Sequence, residues 1–260
     1  MPFDNAVAAG RAAVRAALLA IMLVWGGPIV ALAAPEPASD DPMIAQSLAE
    51  MLQDARTVIS NNQDLINNPD IGDKKLTGKA VLDETVQLYK SHTGIDPATI
   101  DPQSRHGRLL RALMESIVEV VDTNQETINA RGVGFKGFIP AVFGRLVGEA
   151  FARHADGEAE IKITAPPGFV RNRKARPDSW EEAIMKTKLL APDWPHGEPY
   201  SATVETKGRP AYRVMVPEYY AESCLTCHGS PKGEMDLTGY PKEGGKAGDL
   251  GAVISITLYH

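Results

Sequence analysis

Cysteine is nearly absent from this chain: of 260 residues, only Cys224 and Cys227 carry a thiol. A closed zinc centre wants four ligands, commonly completed by a second Cys/His pair at short spacing, and no third cysteine exists to supply one. A thioredoxin-like dithiol normally opens a helix beside a βαβ pattern, and nothing of that kind precedes Cys224. A basic excess is also missing. Lys and Arg number 27 against 33 Asp and Glu, a net charge of -6, which removes the electrostatic footprint of a nucleic-acid binder. No tract is of low complexity, and the glycines from Gly244 to Gly251 lack the Lys-Ser/Thr that a phosphate loop requires.

The thiols that are present stand in Cys224-Leu225-Thr226-Cys227-His228. Two thiols at this spacing with an imidazole directly after them are the pattern that attaches a haem covalently. Each vinyl group becomes a thioether, and His228 reaches the iron as proximal ligand. A single covalent haem c commits both cysteines, so no disulfide is left and stability rests on core packing and on the cofactor. The N-terminus agrees with the compartment that this chemistry needs. Arg11 and Arg15 precede the apolar run Ala16 to Val30, and Ala31-Leu32-Ala33 precedes the polar stretch Pro35 to Asp41. That is a charged region, a hydrophobic region and a small-residue cleavage site. The expectation is a signal peptide over residues 1–33 and a periplasmic mature chain. Membrane contact is expected only if the segment, interrupted by Gly26, Gly27 and Pro28, stays uncleaved as an anchor.

Downstream, the first half reads as helical. Met43, Ile44, Leu48, Met51, Leu52, Ala55, Val58 and Ile59 recur at three- and four-residue steps, which predicts an amphipathic helix from Asp41 to about Asn67. A second is predicted from Gly78 to Ser91 and a third from Ser104 to about Asn129. Pro140 opens a fourth, and four of the six phenylalanines fall between Phe135 and Phe151, which suits either the wall of an apolar cofactor pocket or an ordinary core segment. Beyond Glu158 the pattern alternates. A strand is predicted over Ala159 to Ala165, a helix capped by Asp178-Ser179, a hairpin from Tyr200 to Val216 about Lys207-Gly208, and a last strand from Gly251 to Tyr259. Haem attachment thus falls between two strands.

Val216 to Tyr220, the motif Cys224 to Gly229, the glycine-rich stretches Tyr240 to Gly245 and Gly248 to Gly251, and the strand Ala252 to Leu258 together resemble the c-type haem family of PAS-like bacterial domains. Val170 to Glu181, with its Arg-Pro-Asp-Ser-Trp-Glu, is similar to an upstream element of the same family. The resemblance implies an α+β fold: a PAS-like antiparallel sheet with flanking helices, preceded by long N-terminal helices. On this chain it divides into a helical region over 41–130 and a haem domain over 131–260. It also implies a redox or gas sensing role. A family member is understood to take a cysteine from its helical region as sixth iron ligand, and here the chain departs, because no cysteine remains for that position.

Methionine sulfur or a second imidazole would close the distal side for electron transfer, with Met114, His154, His106 and His92 as the candidates, whereas an empty or water-occupied position would leave room for a diatomic ligand. Arg171, Arg173, Lys174 and Arg176 suit haem propionates, or else form a solvated basic loop. Tyr219 and Tyr220 lie close enough to the motif to pack on the haem. No local pair of distal acid and base marks an enzyme. The expected function is a redox or diatomic-gas sensing module acting through a separate signalling protein. The alternative is a periplasmic electron-transfer cytochrome with its own redox partner. Amphipathic N-terminal helices suit a homodimer.

Overall fold

The computed structural model describes residues 40–260, and the expected signal peptide lies outside them. Helix α1 (Asp41–Asn61) has Pro42 in its first turn and stops at Asn62, whose side-chain amide donates back to the Val58 carbonyl at 2.9 Å. Such local side-chain bonding competes with the helical ladder, so the predicted continuation becomes a separate turn of helix, α2 (Gln63–Asn67). Helix α3 (Gly78–Thr93) begins on Thr77, which accepts from the Ala80 amide, and ends at Gly94 with φ +72°, a conformation that favours glycine. The third predicted helix divides as the first does. Asn124 donates to the Val120 carbonyl at 2.7 Å and separates α4 (Arg105–Thr123) from α5 (Gln125–Asn129). Helix α6 (Pro140–His154) follows, with proline in the first turn, where its missing N–H costs nothing.

Strand β1 (Ala159–Thr164), helix α7 (Ser179–Ile184), the hairpin β2 (Tyr200–Thr206) and β3 (Arg209–Tyr219), the short turn α8 (Leu225–His228) and strand β4 (Leu250–Tyr259) complete the chain. The hairpin loop is Lys207-Gly208, with φ +53° and +72°, the doubly left-handed pair that matches the twist of its strands. All pairings are antiparallel, and the strand order is β1-β4-β3-β2. The chain is therefore α+β, with an antiparallel sheet, flanking helices and long helices at the N-terminal end, as expected.

Alternation along the strands assigns the two faces of the sheet. Ile161, Tyr212, Val214, Ile254, Ile256 and Leu258 pack into one core with α1, α3, α4 and α6. Met215, Leu250 and Val253 point the other way and meet Ile184, Met185 and Leu189, with Trp180, Trp194, Tyr200 and Tyr219 around them. Phe138, Phe143 and Phe151 are buried in the first core, while Phe135 is exposed. Of the two readings of the phenylalanine-rich segment, the structure takes the core segment. No helix among the described residues is long and apolar enough to cross a membrane.

Candidate functional site

The site begins where β3 loses its register. Between Glu218 and Tyr219 the pairing with β4 shifts register, from Ala252 to Leu250 so that Gly251 is passed over, and such irregularities re-aim the side chains around them. Tyr219 turns to the second core, stacks on His196 with ring centroids 3.8 Å apart and accepts the Gly197 amide on its hydroxyl at 3.1 Å. Tyr220 turns the other way. Its ring stacks on His228 at 5.0 Å and 19°, with Phe169 at 5.9 Å behind it.

Between the register shift and β4, Cys224 ends a single 3-10 turn and leads into α8. Residues three apart on helical backbone share a face, so Cys224 and Cys227 present their thiols to one side, and both are free and half-buried. The glycine-rich return then closes on the motif. The amides of Gly244 and Gly245 donate to the carbonyls of Gly229 and His228 at 3.0 and 2.8 Å, and Tyr220 exchanges backbone bonds with Gly248 and Asp249. Glycine is required here by contact: a Cβ on Gly251 would sit 2.3 Å from the Tyr220 ring, and one on Gly245 would sit 2.7 Å from it. Gly251→Ala is expected to displace Tyr220 and to cost about 1–3 kcal/mol, the usual penalty of overpacking, read by urea unfolding. An unchanged midpoint and slope would refute the close fit.

His228 is held by charge. Its Nδ1 donates to Glu243 Oε2 at 2.9 Å, and the same carboxylate takes a two-pronged contact from Arg171, Nε to Oε1 at 2.6 Å and Nη2 to Oε2 at 2.9 Å. Arg171 also donates through Nη1 to Asp236 at 2.5 Å and through Nη2 to the Cys227 carbonyl at 2.9 Å. One guanidinium thus ties the motif turn to two points within the loop that follows it. The side chain of Asp236 is fully buried and that of Glu243 is 10 % exposed. Burial alone would push both carboxyls up. For Asp236 the Thr238 hydroxyl, Arg171 and the amides of Tyr240 and Thr238 outweigh burial and hold it well below the usual range. For Glu243 the bonds from Arg171, from its own backbone amide and from His228 do the same. Burial, then Asp236, push the Cys227 thiol up.

The structure thus brings together Cys224, Cys227, His228 and Tyr220, and sets Tyr219 beside them on the opposite face. Arg173 is exposed on a 3-10 turn, and the arginine of that stretch that enters the site is Arg171. The four distal candidates sit among the helices. His106 is buried and bonds Ser47, which bonds the Tyr89 hydroxyl; burial pushes its imidazole down. His92 bonds Asp54 at 2.8 Å, His154 bonds Glu119 at 2.7 Å, and Met114 lines a groove with Leu82 and Arg111. Sequence reasoning missed Glu243 and Asp236. Their available signal was two acids in a glycine- and proline-rich loop just after the motif, opposite an arginine far upstream.

Two features of the chain test whether a haem fits. The Tyr220 hydroxyl is buried beside His228 with no hydrogen-bond partner among the described residues. Met235, Leu237 and Tyr240, flanking Asp236 in the loop tied to Cys227, are all exposed, Leu237 by 65 %. An orphaned donor beside the imidazole, and an uncovered apolar group in a loop tied to the motif turn, are what a haem would satisfy with its propionate oxygens and its ring, so the residues fit the group.

Comparison with curated proteins gives no match. Comparison with solved structures gives none either. A family model described as Tll0287-like matches residues 43–258, from the start of α1 to the end of β4 and including the whole of this site, and the chain belongs to the Tll0287-like family.

Proposed function

We propose that this protein binds one haem covalently through Cys224 and Cys227, with His228 as an iron ligand, and serves in the periplasm as a redox or diatomic-gas sensing module that acts on a separate partner. The observation that carries the reading is the turn Cys224–His228, in which two free thiols share a face and the adjacent imidazole is fixed by Glu243. Membership of the Tll0287-like family supports haem binding.

When bound, haem supplies an iron that cycles between ferric and ferrous states and takes a diatomic ligand at an open position. The chain's own residues do the rest. The thiols anchor, and Glu243 orients His228 through Nδ1, which leaves Nε2 as the coordinating nitrogen. Tyr220 packs along the imidazole and offers its unpartnered hydroxyl. Sensing is favoured over simple electron transfer by the mass of helix that shares one core with the haem-bearing sheet, and by the contact of Arg56 in α1 with Glu218, two residues before Tyr220, at 2.5 and 2.6 Å. A change at the tyrosines would be felt in that helix.

The test is expression of the full chain with a c-type maturation system, followed by acid-acetone extraction and CO titration. Haem is expected to resist extraction in the wild type and to be lost from Cys224→Ala/Cys227→Ala, and the ferrous protein is expected to bind CO. Extractable haem in the wild type would refute covalent attachment. Ferrous iron closed to CO, with a reversible one-electron couple, would favour the electron-transfer cytochrome instead.

A further inference from the structure

His228 does not stand alone under the motif turn; it ends a chain of charge that no sequence spacing announces. Glu243 accepts the Nδ1 proton of His228 at 2.9 Å, Arg171 grips Glu243 at 2.6 and 2.9 Å, and Asp236 takes the remaining guanidinium face at 2.5 Å. One positive and two negative groups leave this buried trio with one net negative charge. The nearby Lys242 does not cancel it, since it is paired with Glu234 at 2.8 Å. An ionised carboxylate accepts and never donates, so Nδ1 carries the proton and the lone pair is left on Nε2.

We propose that Glu243 is a positioning residue whose carboxylate, locked by Arg171, fixes the tautomer of His228 and makes its imidazole a strongly donating ligand, biasing the bound iron toward the ferric state. The inference rests on the haem reading above. A carboxylate behind a metal-bound histidine raises the basicity of the ligand, and hydrogen bonding behind an axial ligand is one of the levers by which a protein sets a haem potential. The low-dielectric setting strengthens the effect, because the side chains of Glu243 and Asp236 are 10 % and 0 % exposed. Arg171 has a different part. By holding Glu243 with two parallel bonds it fixes the carboxylate's direction, and the second acid, Asp236, keeps the guanidinium from neutralising Glu243 completely. A backbone carbonyl in place of Glu243 would orient the ring equally well but would bring no charge. The choice of a carboxylate therefore concerns the electronic state of the iron as well as its location.

The experiment is spectroelectrochemical titration of the haem-loaded full chain at fixed pH in the wild type, Glu243→Gln and Glu243→Asp, with covalent haem content measured on each. Glu243→Gln keeps the size of the side chain and removes its charge. Its ratio of oxidised to reduced protein at a given ambient potential is expected to fall at least tenfold, an upward shift of about 59 mV for a one-electron couple. Glu243→Asp retains the charge and is expected to stay within threefold of the wild type, which separates charge from mere packing and serves as the folded control. Loaded protein in which Glu243→Gln titrates like the wild type, or in which Glu243→Asp shifts as far as Glu243→Gln, overturns this inference while the haem reading stands. A wild-type chain that takes up no covalent haem overturns both.

Discussion

Arg171→Met is expected to lower the stability of the protein by about 3–5 kcal/mol at pH 7, because removing one partner of a buried ionic cluster leaves the other charges without compensation. Methionine retains most of the volume, so the loss is one of charge and hydrogen bonds. Asp236 and Glu243 would lose three of their shortest contacts, and the Cys227 carbonyl would lose its donor. The pH dependence gives the argument its sign. In the wild type both carboxyls lie below their unfolded values, so the stability they confer is fully present above the unfolded carboxylate pKa of about 4 and is lost as pH falls through the lower folded values. In Arg171→Met, burial of Glu243 is opposed only by its own backbone amide and by His228, and its protonation relieves part of the penalty. The gap between wild type and variant is therefore expected to be widest near neutrality and to narrow as pH falls below about 5. Urea unfolding at several pH values measures it. A gap that is constant with pH would show that the cost is packing alone, and one under about 1 kcal/mol would show that the cluster is solvated rather than buried.

Elements whose cause is local were legible in the sequence. The stripes of α1, α3 and α4, the proline that opens α6, the Asp178 cap of α7 and the Lys207-Gly208 loop each depend on residues a few positions apart, and each helix or strand falls within a few residues of its expected place. The breaks at Asn62 and Asn124 were not legible, since an apolar stripe continues past an asparagine that turns its amide back on the helix. At the site, the pentapeptide and Tyr220 could be found because they are contiguous or nearly so. The groups that hold His228 could not, because Arg171 reaches Glu243 and Asp236 across 72 and 65 residues. A basic run from Arg171 to Arg176 looks uniform in sequence, and only the fold distinguishes Arg171, which is clamped by two acids, from Arg173, which is exposed.

The phenylalanine-rich segment shows how the fold decides between readings that composition leaves equal, and Phe143→Ala puts a magnitude on the decision. Phe143 is fully buried and meets Phe138 edge-on, with centroids 6.0 Å apart and rings at 67°. Truncating a buried phenylalanine removes its transfer free energy and leaves a cavity, for an expected loss of about 3–5 kcal/mol. The size of that loss depends on whether the surroundings can collapse. Here they are pinned. Helix α6 lies so close to β1 that a Cβ on Gly144 would be 2.4 Å from Ile163 and one on Gly148 would be 2.5 Å from the Ile161 carbonyl, so the helix cannot move inward to fill the space. The loss is therefore expected at the upper end of the range, measured by urea unfolding of the haem-loaded chain. Its Soret band and reduction potential are expected to match those of the wild type, because the cavity opens in the core between helices and sheet and not against His228. A shifted Soret band in a variant that still folds cooperatively would return these aromatics to the wall of the haem pocket.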